Sequence, residues 1–135
     1  MTQIIAYLSF NGNCREAMLF YQCCFGGKLS LQTVEDSPIS SELPIEMKNN
    51  ILHASLINDG FVLMGSDMIG TEEFSQGNSI SLMYHCYSEK ELRSLYQQLH
   101  SSSQSNKTEK RRNLYADSYA VEVVDIFGVR WLLKI

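Results

Sequence analysis

Proline is scarce in this sequence. Pro38 and Pro44 are the only two in 135 residues, and both fall within 36–50, which reads as a long loop. No apolar run of roughly 18 residues occurs, so no membrane-spanning helix is expected. A surplus of positive charge is also missing. Lys+Arg is 11 against Asp+Glu 15, a formal charge of −4. A chain that neutralises phosphates carries the opposite balance, so nucleic acid is not an expected partner. No Cys-x-x-Cys occurs among Cys14, Cys23, Cys24 and Cys86, which removes the zinc knuckle and the thioredoxin-like motif. No G-x-G-x-x-G or P-loop appears, so no phosphate-cradling loop is expected. The start, Met1-Thr2-Gln3-Ile4, lacks the basic-then-apolar layout of a secretory signal. The expectation is a mature cytoplasmic protein with reduced thiols packed as small apolar groups.

What is present suits a single domain over residues 1–135. Hydrophobic residues make up 44% and charged residues 19%. A chain of this length buries about two-thirds of its unfolded surface and needs no disulfide or structural metal to fold.

The elements come twice. Residues 4–10 read as a strand. Asn13 with Glu16 three positions on has the layout of a capping box. Cys14, Ala17, Met18, Tyr21, Cys24 and Phe25 have the spacing of one helical face, and Gly26-Gly27 ends that helix. A strand is expected at about 28–35. Two more, 51–57 and 61–66, flank Asn58-Asp59-Gly60, a hairpin signal. The order then recurs. Residues 79–86 alternate like a strand, and Ser88 with Glu91 repeats the capping box. Leu92, Leu95, Tyr96 and Leu99 repeat the stripe. Residues 101–106 read as a polar loop and 107–112 as an exposed strand. A second hairpin, 119–124 and 129–135, turns through Asp125-Ile126-Phe127-Gly128. Superposing the caps Asn13 and Ser88 gives an offset of 75, and superposing the hairpin glycines Gly60 and Gly128 gives 68. The simplest account is one strand-helix-strand-strand-strand unit in two copies. Module one spans about 1–70 and module two about 77–135.

The run Tyr7-Leu8-Ser9-Phe10-Asn11-Gly12-Asn13-Cys14-Arg15-Glu16-Ala17-Met18, followed by Phe20-Tyr21 and Phe25-Gly26-Gly27, resembles the opening motif of PhnB-like proteins. These form a branch of the vicinal oxygen chelate superfamily, with glyoxalase I, bleomycin-resistance proteins and extradiol dioxygenases. His53-Ala54 and Leu63-Met64-Gly65-Ser66-Asp67 resemble the branch's central hairpin. Asp125, Phe127-Gly128-Val129 and Trp131 resemble its closing strand. The chain departs from the branch at Tyr115 and Ala120, where a Trp and a Gly are usual. The resemblance implies an α+β fold. Two tandem βαβββ modules would form a curved mixed sheet around a cavity, with helices on the convex side. It also implies a homodimer. The branch is sometimes labelled demethylubiquinone methyltransferase. A doubly wound methyltransferase shows a strand leading through a Gly-rich turn into a helix, and this chain has none.

Catalytic relatives place His, Glu or Gln on the first and last strand of each module. Motif by motif, those positions fall on Ala6, Met64, Ser81 and Leu132. None is a ligand for zinc, iron or manganese. Shifting a strand by one or two residues brings in no His, Asp, Glu or Cys. The expectation is therefore no metal and no cofactor. His53, His85, Glu122 and a cysteine stay open as a separate metal set, without the helical His pair of known motifs.

Strand parity names the cavity lining expected instead. Ser79, Ser81, Met83 and His85 share one face of their strand. Val62, Met64 and Ser66 share another, as do Arg130, Leu132 and Lys134, and His53, Ser55 and Ile57. The expected ligand-binding residues are Met64, Ser66, Ser81, Met83, His85 and Arg130. Together they suit a small organic molecule that is anionic or aromatic. Met64, Met83 and Leu132 read equally as core or dimer packing, and Glu122 as either a solvent-facing acid or a cavity acid. Lys107, Lys110, Arg111 and Arg112 read as a solvated strand face. Two functions remain open: a metal-independent small-molecule binder, or a lyase, isomerase or transferase with His85 or His53 as its acid-base group.

Overall fold

The computed structural model describes residues 2–70, 73–101, 110–115 and 118–135, with backbone alone for 101, 110–115 and 118–119. The expected 101–106 loop and residues 107–109 of the expected strand therefore lie largely outside the described residues. The chain divides into two units, Met1–Phe74 and Ser75–Ile135. The first contains β1 (Ala6–Phe10), α1 (Cys14–Phe25), β2 (Lys28–Thr33), β3 (Ile51–Ile57) and β4 (Val62–Asp67). Two short 3-10 turns, Ser40–Glu42 and Ile45–Met47, punctuate the proline-containing loop. The second contains β5 (Leu82–His85), α2 (Glu89–Ser101), β6 (Lys110–Tyr115), β7 (Ser118–Val124) and β8 (Arg130–Lys134).

Each unit carries one mixed four-stranded sheet. The strand orders, β1-β4-β3-β2 and β5-β8-β7-β6, are the same path taken twice. In both, the first and last strands pair in parallel and the other pairs are antiparallel. The architecture is α+β, in two tandem βαβββ modules. No helix among the described residues is long and apolar enough to cross a membrane.

Each helix buries its stripe on its own sheet. Cys14, Ala17, Met18 and Tyr21 of α1 are all fully buried, the i, i+3, i+4, i+7 spacing of one face. They pack over Phe10, Ala54, Leu56 and Leu63, which are also buried. Leu92, Leu95 and Leu99 of α2 are buried, as are Val121, Val123, Trp131 and Leu133 of the sheet beneath. The chain leaves α1 through Gly26 and Gly27, at φ +74° and +110°. A Cβ on Gly27 would stand 2.8 Å from the Ile57 carbonyl oxygen, so only glycine fits there.

The helix starts differ from the sequence expectation in an informative way. In α2, Ser88 Oγ accepts the Glu91 N–H at 3.2 Å, as its cap should. In α1 the Asn13 side chain makes no cap bond. The acceptor is Asp67, from the end of β4. Its Oδ1 takes the Cys14 N–H at 3.0 Å and its Oδ2 takes the Ile51 N–H at 2.8 Å. One carboxylate thus ties the helix start, β3 and β4 together. Asp125 does similar work in the second unit. Its Oδ1 accepts the Phe127 and Val129 N–H groups, and its Oδ2 accepts Trp131 Nε1–H at 2.9 Å.

Candidate functional site

The ladder register decides which residues share a face. Tyr7 pairs with Met64 and Ser9 with Ser66, while Met83 pairs with Leu132 and His85 with Lys134. With Met64 and Leu132 equivalent at the offset of 68, Tyr7 becomes the equivalent of Met83. The first strands are therefore related by 76, one more than the helix caps suggest. Exposure follows the same step. Phe10 and Cys86 are buried, Leu8 and Tyr84 half-buried, Tyr7 and Met83 exposed. The position expected at Ala6 moves accordingly. Ala6 pairs with buried Leu63 on the helix side, and Tyr7 takes its place beside Met64.

In the first unit the face turned away from α1 carries Tyr7, Ser9, Met64, Ser66, His53 and Ser55. Tyr7 is 52% exposed. Its ring stacks with the His53 imidazole, 6.4 Å between centroids and 30° between planes. Met64 pairs across to Ser55, and Ser55 to Ser30. The result is an aromatic pair edged by hydroxyls and one thioether.

In the second unit the corresponding face carries Met83, His85, Arg130, Leu132, Lys134 and Glu122. Met83 is 56% exposed. Ser81 precedes the β5 ladder, which begins at Leu82, so Ser81 and Ser79 are exposed positions outside the sheet. Glu122 is not the exposed acid that one of its two sequence readings expects. Its side chain is only 14% exposed and accepts from Arg130 Nη1 at 3.3 Å, the guanidinium side chain being 19% exposed. Glu122 pairs with Leu132 and Arg130 with Val124, so acid and base meet on the diagonal of an antiparallel ladder. The strand pattern leaves Glu122 open between a solvent-facing and a cavity acid, since it does not tell which cation lies opposite. Tyr7 was missed for a one-residue error in register. The burial of Phe10 at the end of the same strand is the signal that fixes its parity.

The cysteines divide by depth. Burial pushes the Cys14 thiol up to about 12, with Asp67 and Glu16 adding to it. Burial and Glu91 push Cys86 up to about 11. Neither is a ready thiolate near neutral pH. An open surface cavity of about 550 Å³ runs along α2, lined by Ser94, Tyr96, Gln97, Gln98 and His100. It contains none of the ligand-binding residues expected from the sequence.

Metal chemistry of the superfamily type calls for imidazole or carboxylate donors on the first and last strands of each module. The register puts Tyr7, Met64, Met83 and Leu132 there, which offer a phenol, two thioethers and an alkyl group. This set does not fit zinc, iron or manganese. Among the described residues no three His, Cys, Asp or Glu stand close enough to hold a metal ion.

Two βαβββ modules with one strand order give the chain a glyoxalase-like fold. The chain is similar over 98% of its length to FosX, a fosfomycin resistance protein from Listeria monocytogenes (TM-score 0.66, 8% identity, 91% of that chain). More specifically, residues 2–134 match the 3-demethylubiquinone-9 3-methyltransferase family, and the chain belongs to that PhnB-like family. It is similar to protein PA1353 from Pseudomonas aeruginosa, with 30% identity, TM-score 0.83, and coverage of 99% and 97% of the two chains. A putative 3-demethylubiquinone-9 3-methyltransferase, PhnB protein, from Bacillus cereus follows at 23% identity, TM-score 0.67 and 98% of each chain. No curated protein matches significantly.

Proposed function

We propose that this chain binds a small organic molecule without a metal ion, its two modules acting as one domain over 1–135. The observation that carries the reading is the chemistry of the ligand positions. Tyr7, Met64, Met83 and Leu132 keep the framework of the fold and supply packing surface in place of donors. FosX of the same fold is described in complex with Mn(II) and 1S,2S-dihydroxypropylphosphonic acid. Here the thioethers suit irregular apolar shapes. Ser66, His85 and Arg130 add polar anchors, with Ser81 beside the second sheet. The protein is read as cytoplasmic, with all four cysteines as thiols rather than disulfides.

A homodimer belongs to the same reading. Tyr7, Ile57 and Met83 are about half exposed on sheet faces, and Ile80 is 77% exposed; apolar surface of this kind suits a second copy. Light scattering on the purified chain tests it, and a monomer at all concentrations contradicts it. A second reading, catalysis by His53 or His85, is favoured by the Tyr7–His53 stack, which places an imidazole beside a phenol on an open face.

The test is a thermal-shift screen of metals, thiol conjugates, phosphonates and aromatic compounds, since a ligand of the folded state raises apparent stability by mass action. An organic hit that persists in chelator supports the binder. Organic hits that require added metal overturn metal independence, and no organic hit overturns the binder. For the enzyme reading, His53→Gln and His85→Gln are assayed on each hit. Turnover that neither variant changes removes both histidines from the mechanism.

A further inference from the structure

We infer that the sheet of the first unit seats a flat, uncharged aromatic ring of the small molecule, stacked against Tyr7 and His53. This rests on the small-molecule reading above and goes further by naming the ligand's class and the two side chains that hold it. Tyr7 stands on β1 and His53 on β3, with β4 between them. Neighbouring strands lie about 4.8 Å apart, so the two backbones are separated by roughly 10 Å or more. The ring centroids are 6.4 Å apart. Both side chains therefore lean inward over β4, and their planes differ by 30°. Tyr7 nonetheless stays 52% exposed, and His53 is exposed as well. The pair forms a broad π surface open to solvent.

The groups around the rings decide what kind of ligand fits. One cross-strand row runs Tyr7–Met64–Ser55–Ser30. Two residues further along the strands lie the pairs Ser9–Ser66 and His53–Gln32. Beyond the two rings, these positions supply a thioether, serine hydroxyls and an amide, and no Asp, Glu, Lys or Arg. Lys28, of the same parity on β2, stands beyond Ser30, opposite Ile57. An ionic group over the rings thus meets no opposite formal charge beside it. A flat ring meets two π faces that attract it at this spacing. The Met64 sulfur is polarizable and favours aromatic contact. The hydroxyls both donate and accept, so they suit polar substituents at the ring's edge. A second copy of the chain packed dry on this face would instead bury the Ser9, Ser55 and Ser66 hydroxyls and the imidazole, each then needing a partner. A ring lying on Tyr7 and His53 leaves those groups reachable by its substituents or by water.

The experiment is NMR titration of the full, isotope-labelled chain with 2-naphthol and with decahydro-2-naphthol. The probes share a carbon skeleton and a hydroxyl, but only the first is flat and aromatic. Wild type is expected to bind 2-naphthol roughly tenfold more tightly, with ring-current shifts at the His53 ring protons and the Met64 methyl. Tyr7→Ala and His53→Ala each weaken it roughly tenfold. Tyr7→Phe keeps the ring and restores binding. Leu19→Ala, on the exposed side of α1, leaves affinity at the wild-type level, and circular dichroism confirms that every variant is folded. Equal affinity for the two probes overturns the ring seat, as does 2-naphthol affinity unchanged in both Tyr7→Ala and His53→Ala. Binding of decahydro-2-naphthol alone removes the seat and leaves the small-molecule reading standing. Binding of neither probe removes the seat, and the thermal-shift screen then decides the small-molecule reading separately.

Discussion

Asp67 offers a sharp quantitative test of how the first unit is held together. Its two oxygens accept backbone N–H groups from Cys14 and Ile51, at 3.0 and 2.8 Å. Both donor residues are 0% exposed and Asp67 itself is 3% exposed. Removing the carboxylate leaves two buried donors with no water to replace it. Each such orphan costs about 1–3 kcal/mol. The lost negative charge at the start of α1 adds about 0.5 kcal/mol. Asp67→Ala is therefore expected to destabilise by about 3–5 kcal/mol, a large share of the 5–15 kcal/mol typical of a domain. Asp67→Asn keeps one acceptor and is expected to recover about half. Urea unfolding gives the free energies, and amide hydrogen exchange reads the two sites directly. Protection at Cys14 and Ile51 should fall in Asp67→Ala before that of β5 and β8. A cost below about 1 kcal/mol, or unchanged protection at both amides, refutes the tie.

Asp125→Ala removes the acceptor for Phe127, Val129 and Trp131 Nε1. It should cost about 2–4 kcal/mol and shift the emission of Trp131, the one tryptophan of the chain; unchanged emission contradicts the contact. The raised thiols make a pH prediction. Cys14 and Cys86 sit near 12 and 11 in the fold against 9.0 for an ordinary thiol. The unfolded chain therefore sheds these protons first. Their contribution to stability is complete below about pH 9 and is lost as pH rises toward the folded values. Urea midpoints should fall above pH 9, and less steeply in Cys14→Ala; an identical slope contradicts the assignment. In native protein at pH 8, the exposed Cys23 should react with a thiol reagent well before Cys14 or Cys86, as peptide mapping will read.

Much of the architecture was legible because its signals are local. The α1 stripe, the Gly26-Gly27 exit and the Asn58-Asp59-Gly60 turn each depend on residues within a few positions of one another. Ser88 caps α2 for the same reason. What escaped was long-range. The acceptor at the start of α1 comes from Asp67, 53 positions beyond Cys14, while the nearby Asn13 looks locally sufficient. Glu122 stayed open between a solvent-facing and a cavity acid because its partner Arg130 is fixed only by strand register. The ladder register moved two ligand positions, from Ala6 to Tyr7 and from Ser81 to Met83, and with them the offset between the first strands from 75 to 76. A helix cap and a ladder register are set by different contacts, so superposing caps does not align strands. The strand expected over 79–86 is paired only at Leu82–His85, which leaves Ser81 outside the sheet.

Metal independence is the central claim, and a direct titration tests it. The full chain, purified without chelator, is analysed for zinc, iron, manganese, nickel and cobalt, then titrated with each ion by calorimetry. The account predicts substoichiometric metal as purified and no saturable one-to-one binding. Stoichiometric metal that is lost on substituting Tyr7, Met64, Met83 or Leu132 would contradict it.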